Sequence, residues 1–157
     1  MSVDAGTIMT RAVVTAGPDD TIKAIAALFS QHGISAVPVC EKDGTLLGVI
    51  SEGDLMRPFG QRNKLRRDWW LGLLSEGTDL APEFLDYLRL DTRRARDLMT
   101  APAITATERM SVNEIADLLQ RHGIKRVPIV KDGKVVGIVS RADLVRALAQ
   151  MPDAISN

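Results

Sequence analysis

The sequence has little of what several protein classes require. It contains one cysteine, Cys40, so an internal disulfide is excluded and a reducing, cytoplasmic setting is the natural expectation. Twenty basic residues balance twenty acidic ones, so no overall charge favours nucleic acid or an anionic membrane surface. No apolar run reaches the length of a membrane span, and the first ten residues do not resemble a secretory signal. These absences predict a soluble globular protein of the cytoplasm.

Motifs of catalysis and metal binding are also missing. The sequence has neither a glycine-rich dinucleotide motif nor a P-loop, and Ser, His and Asp do not form a nucleophile-elbow pattern. His32 and His122 occupy equivalent places, but no Cys or clustered His accompanies them at metal-ligand spacing. Capping of a helix end therefore explains them better. We expect no enzyme activity, no metal site and no required cofactor.

What the chain does contain is an internal repeat. Residues 33–55 read GISAVPVCEKDGTLLGVISEGDL, and residues 123–144 read GIKRVPIVKDGKVVGIVSRADL. Met9 and Met99 are equivalent and lie 99 − 9 = 90 residues apart, whereas the offset after the hairpin is 89 because the first turn is one residue longer. Such close self-similarity indicates two copies of one small unit.

The residue pattern of each copy predicts five elements in the order short strand, helix, strand, strand, helix. The first strand is short and β-branched (Val13–Thr15 in the first copy). The helix after it begins near Thr21 or, in the second copy, at the capping box of Ser111. Gly33 and Gly123 are suited to end these helices, and Asp-Gly dipeptides then join two apolar strands as a hairpin. The strands predicted for the first hairpin are 36–40 and 46–50.

A segment between the copies matches neither of them. It contains a basic patch followed by Trp69-Trp70 and, after Gly77, a second apolar stretch that opens at Pro82. The spacing predicts two short amphipathic helices that pack on the module or on a partner chain. Neighbouring Arg and Trp residues also suggest an alternative function, in which they stack on the bases of a nucleic acid. We do not favour it, because the net charge is zero and adjacent tryptophans on a helix point about 100° apart. The tail after Ala149 is expected to fray.

The doubled pattern of His-Gly-Ile, Val-Pro, Asp-Gly and Ser-x-x-Asp-Leu resembles a tandem pair of CBS (cystathionine-β-synthase) domains. The resemblance assigns residues 7–57 to the first repeat, 58–94 to a helical insertion, 95–150 to the second repeat and 151–157 to a tail. It implies an α/β (α+β) fold in which both repeats pack as one pseudo-twofold module. The insertion is similar to that of bacterial tandem-CBS proteins, some of which continue into a BON domain, expected to be absent here.

This resemblance also implies a function. Such pairs, called Bateman modules, commonly bind adenosine nucleotides in clefts between repeats, and isolated pairs usually form homodimers. The implied protein is a non-enzymatic regulatory module that binds AMP, ADP or an ATP-like ligand and signals to an unknown effector protein. The alternative is a dimerisation scaffold with vestigial clefts.

The repeated Ser-x-x-Asp motif offers a physical basis for ligand binding. Ser51 and Asp54 follow a strand where a helix begins, as do Ser140 and Asp143. A carboxylate there can accept two hydrogen bonds from the cis-diol of a ribose, and the hydroxyl and helix-start amides can meet a ribose oxygen or a phosphate. The motif could instead be only a helix-capping box. Its recurrence after the same hairpin favours the ligand hypothesis.

The copies differ ahead of the shared Val-Pro. The first has Ser35-Ala36, whereas the second has Lys125-Arg126. The resemblance implies that each cleft draws on both repeats and that basic residues at these positions often face phosphates. The resulting hypothesis is that Asp54 holds the ribose while the basic pair meets the phosphates, for which the planar fork of Arg is well suited.

The cleft marked by Asp143 would then face the uncharged pair and bind phosphate less well, unless Arg141 compensates. Adenine requires an apolar slot with backbone hydrogen bonds. The prolines of that slot could also simply mark strand starts. The candidates that match the family at the slot are Val37, Pro38, Val127 and Pro128, with Thr15 and Thr105 at the ends of the short first strands.

Overall fold

Helices and strands follow one another in an order that occurs twice. The structure, a computed structural model, describes residues 3–60 and 92–150, with the backbone alone for residues 58–60. The predicted α/β class and the two-repeat order are confirmed. The predicted linker helices, Trp69-Trp70 and the tail lie outside the described residues. The elements are α1 (Ala5–Ile8), α2 (Ile22–His32), β1 (Ala36–Cys40), β2 (Leu46–Ser51), α3 (Glu52–Gly60), α4 (Ala95–Leu98), α5 (Val112–His122), β3 (Arg126–Lys131), β4 (Lys134–Ser140) and α6 (Arg141–Gln150).

The helices α2 and α5 begin and end as the sequence predicts. The hydroxyl oxygens of Thr21 and Ser111 each accept a hydrogen bond of 3.1 Å from the backbone N–H three residues further along. Gly33 and Gly123 end these helices with φ of 61° in both, a left-handed conformation that costs glycine little. The two equivalent helices therefore share both boundary signals.

Each hairpin turn also follows its Asp-Gly signal. Strands β3 and β4 are antiparallel, and their register pairs Arg126 with Ser140 at one end and Lys131 with Lys134 at the other. Between the strands, Asp132 and Gly133 have φ of 54° and 79°. Two successive positive φ angles are typical of the turn type whose twist matches that of paired strands.

The prediction of a short first strand is wrong, because no strand forms there. Val13–Thr15 forms no strand; instead Ala16 makes a single parallel bridge to Val39, and an equivalent bridge occurs in the second copy. Extending the parallel pairing toward the start of the segment would need a hydrogen bond from the N–H of residue 38. Proline has no N–H, so the pairing stops at one bridge. Pro38 and Pro128 also do not start their strands, since each is the third residue of its strand.

The described chain divides into two compact units. One unit, here called the Asp143 unit, comprises residues 3–15, 40–47 and 102–150. The other, the Asp54 unit, comprises residues 16–39, 48–60 and 92–101. Helix α1, at the start of the first copy, belongs to the Asp143 unit, and α4, at the start of the second copy, belongs to the Asp54 unit. Each unit thus combines most of one copy with the short lead-in helix of the other.

In the Asp143 unit, backbone hydrogen bonds hold both ends of the lead-in segment, residues 5–10, which contains α1. The Ala5 N–H donates to the Met110 carbonyl at 2.8 Å, and Thr10 and Ile138 exchange bonds of 2.9 and 3.0 Å. The main stabilisation of the unit comes from the burial of apolar side chains. The buried core consists of Ala5, Met9, Ala106, Ile115, Leu119, Val127, Ile129 and Val139.

The Asp54 unit holds its lead-in segment in the equivalent way. The Ala95 N–H donates to the Asp20 carbonyl at 3.0 Å, and Val49 and Thr100 exchange bonds of 3.0 and 2.8 Å. Arg96 adds an ion pair with Asp19, which is largely exposed and therefore contributes little.

None of the helices in the described ranges is long and apolar enough to cross a membrane.

The glycine inside the second strand of each hairpin makes room for these segments. A Cβ on Gly137 would lie 2.3 Å from the Met9 Sδ. A Cβ on Gly48 would lie 2.7 Å from the Thr100 carbonyl oxygen and 2.8 Å from the Met99 Sδ. Both glycines are therefore required by close approach.

We expect Gly48→Ala to destabilise the protein more than Gly137→Ala. The new methyl group at position 48 meets a backbone oxygen that cannot move alone, whereas at position 137 it first meets a flexible methionine side chain. Gly48→Ala should lower the free energy of unfolding by about 1–3 kcal/mol, measured by urea denaturation. Gly53→Ala is the control, because a Cβ at that helical site would meet the Ser51 Oγ only at an ordinary contact distance of 3.6 Å, and alanine favours a helix there. Equal effects at positions 48 and 53 would contradict this account.

Candidate ligand-binding site

The carboxylate of Asp54 lies at the junction of β2 and α3, and Asp54 is 8% exposed. Its Oδ2 accepts a hydrogen bond of 2.8 Å from the Ser51 N–H and one of 3.1 Å from the Ser51 hydroxyl. The Asp54 N–H in turn donates to the Ser51 Oγ at 3.3 Å. This reciprocal arrangement is a capping box, and the carboxylate also favours the positive end of the helix dipole.

The equivalent box joins β4 to α6 in the Asp143 unit. The Ser140 N–H donates to the Asp143 Oδ2 at 2.8 Å, and the Asp143 N–H donates to the Ser140 Oγ at 3.2 Å. Asp143 is 7% exposed. Within the described part of the chain, its carboxylate receives no bond from the Ser140 hydroxyl. The two boxes therefore differ by one hydrogen bond to the carboxylate.

Each carboxylate also pairs with an arginine one helical turn further on. Arg57 contacts the Asp54 Oδ1 through its Nη2, and Arg146 contacts the Asp143 Oδ1 through its Nη1 at 3.2 Å. These arginines were missed in the sequence analysis. The signal was available, because both copies extend the motif to Ser-x-x-Asp-Leu-x-Arg.

Each unit places the start of its first hairpin strand beside its own box. The Glu52 N–H donates to the Ser35 carbonyl at 2.9 Å, and the Arg141 N–H donates to the Lys125 carbonyl at 2.9 Å. Arg126 lies directly opposite Ser140 in the sheet register.

The surroundings of the two boxes consequently differ in charge. Lys125, Arg126 and Arg141 accompany the Ser140 box, whereas the equivalent positions in the Asp54 unit hold Ser35, Ala36 and the acidic Glu52. The predicted partnership of Asp54 with Lys125 and Arg126 joins residues of separate units, and it stays a prediction.

The predicted adenine-slot residues are mostly core residues. Val37 and Val127 are fully buried, so their side chains fill the interior. The carbonyl groups of Pro38 and Pro128 already accept bonds from Ala16 and from its equivalent in the second copy, at 2.9 and 3.0 Å. Any role of these residues would therefore use backbone atoms, and it stays a prediction. Thr15 and Thr105, by contrast, are exposed.

Other chemistry-bearing side chains lie apart from the boxes. Burial raises the pKa of the Cys40 thiol, which disfavours the reactive thiolate. His32 and His122 are exposed at the ends of α2 and α5. Among residues 3–60 and 92–150, no cluster of His, Cys, Asp or Glu could hold a metal ion. The boxes remain the best candidate sites, because each offers a buried carboxylate and a hydroxyl at a strand end.

Comparison with known proteins identifies the repeats. The CBS domain family matches residues 5–59 and 95–150. An uncharacterized protein of Methanocaldococcus jannaschii is 36% identical over 90% of this chain and 88% of its own length. Inosine-5'-monophosphate dehydrogenase of Halobacterium salinarum is 30% identical over 82% of this chain, but the match spans 20% of that enzyme.

Solved structures agree with this assignment. The CBS domain of a CBS domain-containing membrane protein from Sphaerobacter thermophilus superposes with a TM-score of 0.69 at 35% identity, covering 92% of this chain and 87% of that one. The plant protein CBSX2 superposes with a TM-score of 0.73 at 25% identity, covering 97% and 98%. These matches span both repeats. The chain therefore belongs to the CBS domain family and carries two CBS repeats.

Proposed function

We propose that this protein is a non-enzymatic regulatory module of the cytoplasm that binds an adenosine ligand. The observation that carries the proposal is the buried carboxylate of each Ser-x-x-Asp box, at Asp54 and at Asp143. Each is placed where a strand ends and a helix begins, with acceptor capacity beyond what the cap uses. A ribose cis-diol has the matching pair of donors, and each charge-assisted bond contributes about 1.5–3 kcal/mol.

Ligands of structurally similar proteins support this class of molecule. CBSX2 was solved in complex with AMP at 24% identity and a TM-score of 0.73. The CBS domain pair of protein MJ0100 was solved with 5'-methylthioadenosine and S-adenosyl-L-methionine at 22% identity and a TM-score of 0.71. These ligands share adenosine and differ in charge. We therefore propose an adenosine compound, rather than one particular nucleotide, as the ligand.

The basic residues around the Ser140 box favour an anionic ligand such as AMP. Lys125, Arg126 and Arg141 supply positive charge, and a guanidinium matches phosphate oxygens in pairs. Ligand occupancy would act by population shift, since a ligand favours whichever arrangement of the protein it binds more tightly. An effector protein would read that change.

A structural scaffold is the competing function, and it shares one expectation with the regulatory module. Val145 and Leu148 project from α6 with 66% and 49% of their surfaces exposed. They lie three residues apart on one face of the helix. We propose that a second copy of this chain covers them in a homodimer.

Ligand binding is tested by thermal melting with adenosine, AMP, ADP and ATP. At a concentration 100 times Kd, a true ligand should raise Tm by about 5–10 °C. Asp54→Asn and Asp143→Asn keep the side-chain size but remove the charge, so at least one should weaken binding by about tenfold or more. The variants are also melted without ligand, which separates loss of the cap from loss of the site. A wild-type Tm that no adenosine compound changes would favour the scaffold.

The dimer is tested by light scattering after size exclusion. The wild-type protein should have twice the 17.1 kDa mass of one chain. Leu148→Glu would place a charge in the interface and should weaken dimerisation by about tenfold or more. Gln150→Glu adds the same charge at another exposed position of α6 and should leave the dimer intact. A wild-type monomer at micromolar concentration would refute the homodimer.

A further inference from the structure

The two boxes offer a ligand different numbers of hydrogen-bond acceptors. An ionised carboxylate has about four acceptor positions, two on each oxygen. Asp54 uses three of them, for the Ser51 N–H, the Ser51 hydroxyl and Arg57. Asp143 uses two, for the Ser140 N–H and Arg146. Counting only donors among residues 3–60 and 92–150, one position is thus open on Asp54, whereas one on each oxygen is open on Asp143.

A ribose cis-diol donates two hydrogen bonds. At Asp143 both can form beside the existing ion pair, because each carboxylate oxygen has one open position. At Asp54 the diol needs a second position, so one present partner must leave. The Ser51 N–H is fixed in the backbone at the end of β2, which leaves the Ser51 hydroxyl and Arg57 as the groups that can move.

Arg57 is the partner more easily displaced. Its side chain is 51% exposed, so water can solvate the guanidinium once it leaves the carboxylate. The Asp54 side chain is only 11% exposed, but the diol replaces the guanidinium as its hydrogen-bond donor, so the buried carboxylate keeps its partners. The Ser51 hydroxyl, by contrast, also accepts the bond from the Asp54 N–H that caps α3. Moving it would weaken the cap.

We propose that Arg57 competes with the ribose diol for Asp54, whereas Arg146 keeps its place when a diol binds Asp143. This inference rests on the proposed adenosine function and specifies how one of its two sites is regulated. Arg57 is a specificity-determining residue in this account, because it lowers the affinity of one repeat for any ligand that binds through a diol. Ligand binding at Asp54 also releases a cation from α3, and binding at Asp143 does not.

The experiment measures the affinity for adenosine by calorimetry. Adenosine has the diol but no phosphate, so attraction between arginine and phosphate does not enter. Arg57→Met is made in the Asp143→Asn background and Arg146→Met in the Asp54→Asn background, so that each protein keeps one intact carboxylate. Arg57→Met should tighten adenosine binding by about two- to fivefold. Arg146→Met should change it by less than about twofold, since it is not displaced.

Two controls separate competition from other effects. 2',3'-Dideoxyadenosine lacks both hydroxyl groups, so Arg57→Met should not tighten its binding. Arg57→Lys retains the cation and should bind adenosine as the wild-type residue does. Melting without ligand reports whether each variant is folded.

The outcomes distinguish this inference from the proposed function. If Asp54→Asn weakens adenosine binding but Arg57→Met leaves it unchanged or weaker, competition is refuted while the adenosine function stands. Equal gains for adenosine and the dideoxy compound would also refute competition for the diol. If the wild-type protein binds no adenosine compound, the proposed function and this inference both fail.

Discussion

A buried carboxylate needs hydrogen-bond donors, because burying a charge without partners is costly. At Asp54 and Asp143 those donors come from the strand end and the helix start together. The serine N–H, which would otherwise be unsatisfied where the strand stops, donates to the carboxylate, and the aspartate N–H donates back to the serine. The junction between the second hairpin strand and the last helix of each repeat depends on this exchange. Substituting either residue would affect both elements.

Helix capping and ligand binding are compatible functions of the same box. The cap requires part of the acceptor capacity of the carboxylate; under the proposed function, a nucleoside diol uses the remainder at Asp143 and displaces one partner at Asp54. The difference between the repeats then arises from one hydroxyl hydrogen bond, since both repeats pair the carboxylate with an exposed arginine. The comparisons establish a pair of CBS repeats, and structurally similar CBS pairs were solved with adenosine compounds of different charge. The charged residues around each box are therefore more informative than the box about the ligand.

Most boundaries of the fold could be predicted because their causes are local. Gly33 and Gly123 end helices through their own backbone freedom, and Asp132-Gly133 forms a turn for the same reason. The short strand at Val13–Thr15 was wrong, since proline on the opposite strand prevents a second rung, and this depends on pairing between distant residues. Arg57 was overlooked because arginine on an exposed helix face has many possible partners. Its contact with Asp54 becomes evident with the side-chain positions.

The two repeats, the helix–strand–strand–helix order within each of them and the residues of both boxes could be predicted from the amino-acid sequence alone. These features follow from self-similarity and from short patterns whose physical causes lie within a few residues. Which lead-in helix completes which core, by contrast, became evident with the three-dimensional structure. The contact of Met9 with Gly137 joins positions far apart in the chain, and no local pattern specifies it. The open acceptor positions on each carboxylate were likewise decided in three dimensions, because they depend on where one hydroxyl and one guanidinium lie.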